Sequence, residues 1–69
     1  MKRRDLLRAL SEAAGAAGER FEPVRSGASH DIYRVAGLTV VIPRHKEINE
    51  LTARRLIKNV QAHLMKEAT

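Results

Sequence analysis

Cysteine is absent from this sequence, so no disulfide and no thiolate metal site can hold the fold together, and stability has to come from packing or a partner. No apolar run approaches the roughly 20 residues that a bilayer-spanning helix needs. The opening Met1-Lys2-Arg3-Arg4 leads into a charged, amphipathic segment instead of the unbroken apolar stretch of a secretory signal. The expectation is therefore a cytoplasmic chain with no membrane association, to which the lack of cysteine is suited. Repeats and low-complexity tracts are missing too, apart from an alanine-rich end to the first helical segment. Carboxylates are few and scattered, so neither a metal site nor a cofactor is expected.

What is present in excess is positive charge: thirteen Lys and Arg stand against eight Asp and Glu, for a formal charge of +5. Clustered cations gain free energy by releasing counterions from phosphates, whatever the base sequence, and so favour a polyanionic partner. An acidic protein partner answers to the same field. The 69 residues make one domain, residues 1–69, with a small core, because a chain of this size buries only about 60% of its unfolded surface.

Leu6, Leu7, Leu10, Ala13, Ala14 and Ala17 recur at helical spacing, while Arg4, Arg8 and Glu12 fall largely elsewhere. The spacing predicts an amphipathic helix over 3–17, with Asp5 at or near its cap and Gly15 and Gly18 ending it. Phe21, Pro23 and Val24 suggest a short, irregular strand at a sheet edge, since proline cannot donate a ladder bond. Ser26 to Ser29 reads as a small-residue loop.

Residues 30–35 and 38–43 are rich in Ile, Val, Tyr and Thr and are separated by Ala36-Gly37, a hairpin signal. A two-residue turn there pairs Val35 with Leu38, Tyr33 with Val40 and Asp31 with Ile42. Tyr33, Val35, Leu38, Val40 and Ile42 then face the helices. His30, Ile32, Arg34, Thr39, Val41 and Pro43 take the open face. Asn49 is a candidate N-cap for a second helix, with Glu50 in its first turn and Ala53, Leu56, Ile57, Val60 and Leu64 as its inward stripe. The tail from Met65 to Thr69 is expected to fray, and His63 is expected at the surface. The fold class that follows is α+β, a two-layer α-β-β-β-α sandwich with the order of a double-stranded-RNA-binding domain.

His30 sits where the small-residue loop runs into a strand, and imidazole is the side chain whose ordinary titration falls nearest neutrality. It is the candidate catalytic residue. Hairpin register sets it opposite Pro43, near the basic connector Arg44-His45-Lys46. Arg25, Arg44, His45 and Lys46 are candidate RNA contacts from charge and register, and Ser29 is a candidate for shaping the loop or bonding phosphate. Asp31 points to the other strand face and receives no role. Adjacent side chains on a strand diverge, so Ser29, His30 and Asp31 do not form a nucleophilic triad.

Ser29-His30 with Tyr33, Ile42-Pro43-Arg44-His45, and Ile48 followed by Thr52-Ala53-Arg54 with Ile57-Lys58 together resemble the HicA toxin family, small mRNA-cleaving ribonucleases of toxin-antitoxin pairs. The resemblance runs from the first helix to about Leu64. It implies a double-stranded-RNA-binding-like fold, metal-independent RNA cleavage and neutralisation by a HicB antitoxin, and it carries catalysis onto His30 alone. The chain departs from the family in having Ala28 where a glycine is frequent, with Gly27 one place earlier, and Leu51 where a glycine often precedes the threonine. The rival readings are a non-enzymatic RNA-binding module and a purely protein-binding subunit. Against an ordinary double-stranded-RNA binder stands the second helix, which opens with Asn49-Glu50-Leu51-Thr52 and lacks the Lys-Lys-x-Ala-Lys pattern.

Overall fold

A computed structural model describes the backbone of residues 1–68 and the side chains of residues 1–66. The elements run α1 (Arg3–Ala16), β1 (Glu22–Ser26), β2 (His30–Val35), β3 (Leu38–Pro43) and α2 (Glu50–Ala68). The strands form one antiparallel sheet in the order β1-β2-β3.

The hairpin forms in the register its sequence predicts, from Val35 opposite Leu38 to His30 opposite Pro43. Its turn carries Ala36 at φ 47° and Gly37 at φ 83°. Two successive left-handed residues match the twist of the flanking strands, which is why this turn closes a two-residue hairpin. Glycine adopts that region freely, whereas Ala36 does so against its Cβ. The expectation of a surface histidine on the second helix is corrected at this point. His63 is half-buried, and its Nε2 lies 2.7 Å from the carbonyl oxygen of Ala36. A carbonyl only accepts, so the contact requires a proton on Nε2. His63 therefore holds the strained turn from the helix layer.

Strand alternation then sorts the side chains. Val35, Val40 and Ile42 are buried, and Tyr33 and Leu38 pack partly against the same core, which Leu6, Leu10 and Ala14 of α1 and Ala53, Val60 and Leu64 of α2 complete. Phe21 covers one side, stacked on Tyr33 with ring centroids 4.6 Å apart. Both helices thus lie on one sheet face, the two-layer arrangement and topology of double-stranded-RNA-binding domains.

Each helix is closed by its own local chemistry. Gly18, at φ 73°, ends α1, and the Glu19 N–H donates back to the Ala14 carbonyl at 2.8 Å, a Schellman closure. Asn49 caps α2, its Oδ1 accepting from the Leu51 N–H at 2.9 Å and the Thr52 N–H at 3.4 Å. Asp5 lies in the first turn of α1 but provides no cap; Lys2 holds that position without a side-chain bond. The start of the chain is stitched to the β3–α2 connector: the Arg3 N–H donates to the Lys46 carbonyl at 2.8 Å and the Ile48 N–H to the Met1 carbonyl at 2.7 Å. The Met1 ammonium bonds Glu50 at 2.9 Å. That bond and the charge behind it, with a smaller contribution from Arg54, hold the Glu50 carboxyl below its usual range.

The expected fraying of the tail fails for Met65 to Ala68, which continue α2; Thr69 lies outside the described residues. Among the described residues, no helix is long and apolar enough to cross a membrane.

Replacing His63 by alanine removes the bond that holds the turn and is expected to lower the unfolding free energy by about 1 kcal/mol. In a domain of this size that is a fall of roughly 4–8 °C in Tm, readable by thermal circular dichroism. An unchanged Tm would show that the turn needs no support from α2.

Candidate nucleic-acid interface

The site begins with an irregularity in β1. Register slips between Pro23 and Arg25, so that Pro23 stands opposite Tyr33 but Arg25 stands opposite Ile32. In regular alternation Arg25 would share the helix-facing side of Pro23. The extra residue, Val24, moves it to the open face instead. Pro23 and the bulge confirm the irregular edge strand that the sequence suggests.

On that open face Arg25, Gly27, Ala28, Ser29, His30, Ile32 and Val41 line a shallow cleft of about 320 Å³. Ile32 and Val41 are cross-strand partners and give it an apolar floor, with Val41 47% exposed. His30 is exposed at one side, and Ser29 Oγ lies 3.3 Å from its Nδ1. Ser29 precedes the strand, so its side chain does not diverge from His30 as alternation within a strand would require. With Nδ1–H donating to Ser29, the imidazole presents its Nε2 lone pair to the cleft; with the hydroxyl donating, it presents an Nε2–H. The arrangement therefore offers one base or one acid, beside one cation and over an apolar floor.

The loop before His30 is held by close backbone contacts. The Gly27 N–H donates to the His30 carbonyl at 2.8 Å, and a Cβ built at Gly27 would stand only 2.9 Å from that oxygen. This is the physical reason for glycine at position 27. Ala28 stands at the bend and is exposed.

Arg44 adjoins the loop through its main chain, its N–H donating to the Ser29 carbonyl at 3.1 Å. Its side chain does not join His30 in the cleft. Position 44 follows the parity of Ile42, and the guanidinium donates to the Gly27 carbonyl at 2.8 Å while lying 3.7 Å from Asp31 Oδ1. Asp31, on the helix side as its register requires, also pairs with Arg3, whose Nε donates to the Pro43 carbonyl at 3.0 Å. Asp31 Oδ1 is buried without a hydrogen bond, so the Arg44 charge is its compensation. This ion-pair hub is what sequence reading missed. The signal was alternation itself, which places 31, 42 and 44 on one face under the basic start of α1.

Arg44 and Lys46 line a second and larger cleft, about 560 Å³, together with Lys2, Arg3, Arg4, Leu7 and Glu47. His45 is exposed and lines neither cleft. The candidate cations are thus divided: Arg25 accompanies Ser29 and His30 on the open face, and Arg44 and Lys46 accompany the first turn of α1. The described residues hold no group of three or more His, Cys, Asp or Glu placed to bind a metal ion. The chain matches no family model, no curated protein and no solved structure.

Two substitutions test the geometry of the loop. Gly27→Ala is expected to displace the loop and shift the His30 ring signals in NMR spectra, since a methyl cannot stand where its Cβ would fall; unaltered His30 signals would refute the close approach. Asp31→Asn is expected to cost about 1–3 kcal/mol of stability, measured by urea unfolding. A neutral substitution would mean that Arg3 and Arg44 do not depend on that carboxylate.

Proposed function

We propose that this chain binds RNA through its open sheet face and the neighbouring basic cleft, and that His30 cleaves the bound strand. The binding reading is the broader one. Its support is the double-stranded-RNA-binding type of sandwich carrying Arg25 and His30 at the rim of an exposed, apolar-floored cleft. The floor of Ile32 and Val41 suits a sugar or base, and Arg25 and Ser29 suit phosphate oxygens. The start of α2 carries Glu50 and is capped by Asn49, so a phosphate is not directed there. Contact with backbone instead falls to Arg25 and, around the sheet, to Lys2, Arg4, Lys46 and the half-exposed Arg44.

Cleavage is the finer reading, supported by the imidazole at the cleft and by the resemblance to the HicA toxins. His30 Nε2 removes the proton of a ribose 2'-hydroxyl. The 2'-oxygen bonds to the adjacent phosphorus, the bond from phosphorus to the 5'-oxygen breaks, and that oxygen takes up a proton as it leaves. Arg25 stabilises the charge on the phosphate oxygens. The products are a 2',3'-cyclic phosphate and a 5'-hydroxyl. In this reading the chain is the toxin of a pair and a HicB-like antitoxin neutralises it. One observation favours binding without turnover: the cleft residues include no second imidazole and no carboxyl group to protonate the leaving oxygen, so that proton comes from water or from His30 itself.

His30→Ala separates the two readings. Expected are loss of RNA cleavage and of growth arrest, with the circular dichroism spectrum and RNA affinity retained and cyclic phosphate ends seen by mass spectrometry for the parent protein only. Binding that weakens steeply with salt but shows no turnover in the parent protein leaves the binding module. Cleavage by the pure, folded variant would remove His30 from the mechanism.

A further inference from the structure

The two edges of the sheet are built differently. On β1, Pro23 lacks an N–H, Val24 forms a bulge, and Glu22 and Arg25 carry charge, all features that discourage the addition of another strand. On β3, Leu38 to Pro43 is six residues long, carries no charge, pairs with β2 without interruption and has its single proline at the very end.

Hydrogen-bond phase shows which groups face outward along β3. The residues flanking a two-residue turn, Val35 and Leu38, exchange bonds, so Tyr33 with Val40 and Asp31 with Ile42 do as well. Three hydrogen bonds agree with this phase. Arg44 N–H donates to the Ser29 carbonyl, continuing the bonded series; the His30 carbonyl is turned toward β1, where Gly27 donates to it; and the Pro43 carbonyl is turned off the sheet, where Arg3 meets it. Thr39 and Val41 therefore direct both N–H and C=O away from β2. Among the described residues, no group meets them, and both residues are exposed.

We infer that this edge of β3 accepts an extended, acidic segment of a partner protein as a fourth strand. Four backbone groups at two-residue spacing supply the pairing, as in other strand-addition complexes. Charge selects the occupant. Arg34 stands in register with Thr39 and is exposed on the open face, so a carboxylate placed beyond Thr39 on an added strand lies one strand away from that guanidinium. A second copy of this chain would bring another +5 charge to the same edge and is disfavoured. The added strand lies beside Val41, in the floor of the His30 cleft. Its docking therefore obstructs RNA at that cleft, a consequence that rests on the function proposed above, whereas the docking itself does not.

The test uses the full chain, 15N-labelled, with a capped synthetic peptide of about ten residues in which glutamate alternates with valine, at millimolar concentration. Hydrogen exchange of the Thr39 and Val41 amides is expected to slow by about tenfold or more, with the Val24 and Arg25 amides unaffected. The same peptide with lysine in place of glutamate is expected to give no protection. Thr39→Pro, which removes an outward N–H and no ladder bond, is expected to abolish the effect; if that variant does not fold, the lysine peptide remains the control. No slowing, or equal slowing by both peptides, overturns the proposal. Protection that rises with protein concentration alone assigns the edge to a second copy and overturns it too. RNA binding measured on the peptide-free sample reports separately on the proposed function.

Discussion

The arrangement of this domain depends on a turn of two residues. With Ala36 and Gly37 both left-handed, the hairpin can close only in one register, and a shift of one residue would exchange its buried and exposed faces. Val35, Val40 and Ile42 would lose the core, and His30 would turn toward the helices. Ala36 pays for this with an unfavourable backbone conformation, offset by the bond from His63. The same helix that completes the core therefore also secures the turn that decides which residues enter it.

Asp31 extends that constraint to the candidate site. It stands on the helix side of β2 and gathers Arg3 from α1 and Arg44 from the connector, and Arg44 in turn holds the Gly27 carbonyl. Of the cations that look available to phosphate in a charge count, Arg3 is thus engaged by this carboxylate, and Arg44 is shared between it and the surface. The remaining exposed cations near the clefts, Arg25, Lys2, Arg4 and Lys46, are left to form the electrostatic surface. A net charge of +5 therefore overstates what the candidate interface offers, and the division into two clefts says where the rest resides.

Most of the fold was legible because it follows from periodicity. The helices, the hairpin register, the Asn49 cap and the edge character of β1 all come from patterns with a local cause. The site was legible in part. Ser29 and His30 meet as neighbours in the chain, but Arg25 joins them only because Val24 is bulged, and a bulge leaves no mark in an alternation read from one strand. Arg44 was placed near His30 by the hairpin register that sets His30 opposite Pro43, yet alternation past Pro43 sends its side chain to the other face. His63 was misplaced for a different reason: its partner is a backbone carbonyl of a distant turn, and no side-chain pattern announces that.

The bulge in β1 also explains why the two sheet edges have separate uses. A bulged strand twists and turns its charge toward one face, which suits it to presenting Arg25 over a cleft and makes it a poor template for pairing. The β2–β3 ladder must be regular, because its register carries the core, and regularity leaves the backbone groups of Thr39 and Val41 on the far side of β3 unmet among the described residues. A three-stranded sheet covered on one face has no fourth strand with which to hide those groups. The demand that fixes the core thus leaves an open edge next to the floor of the His30 cleft, and whatever pairs with β3 necessarily adjoins that cleft.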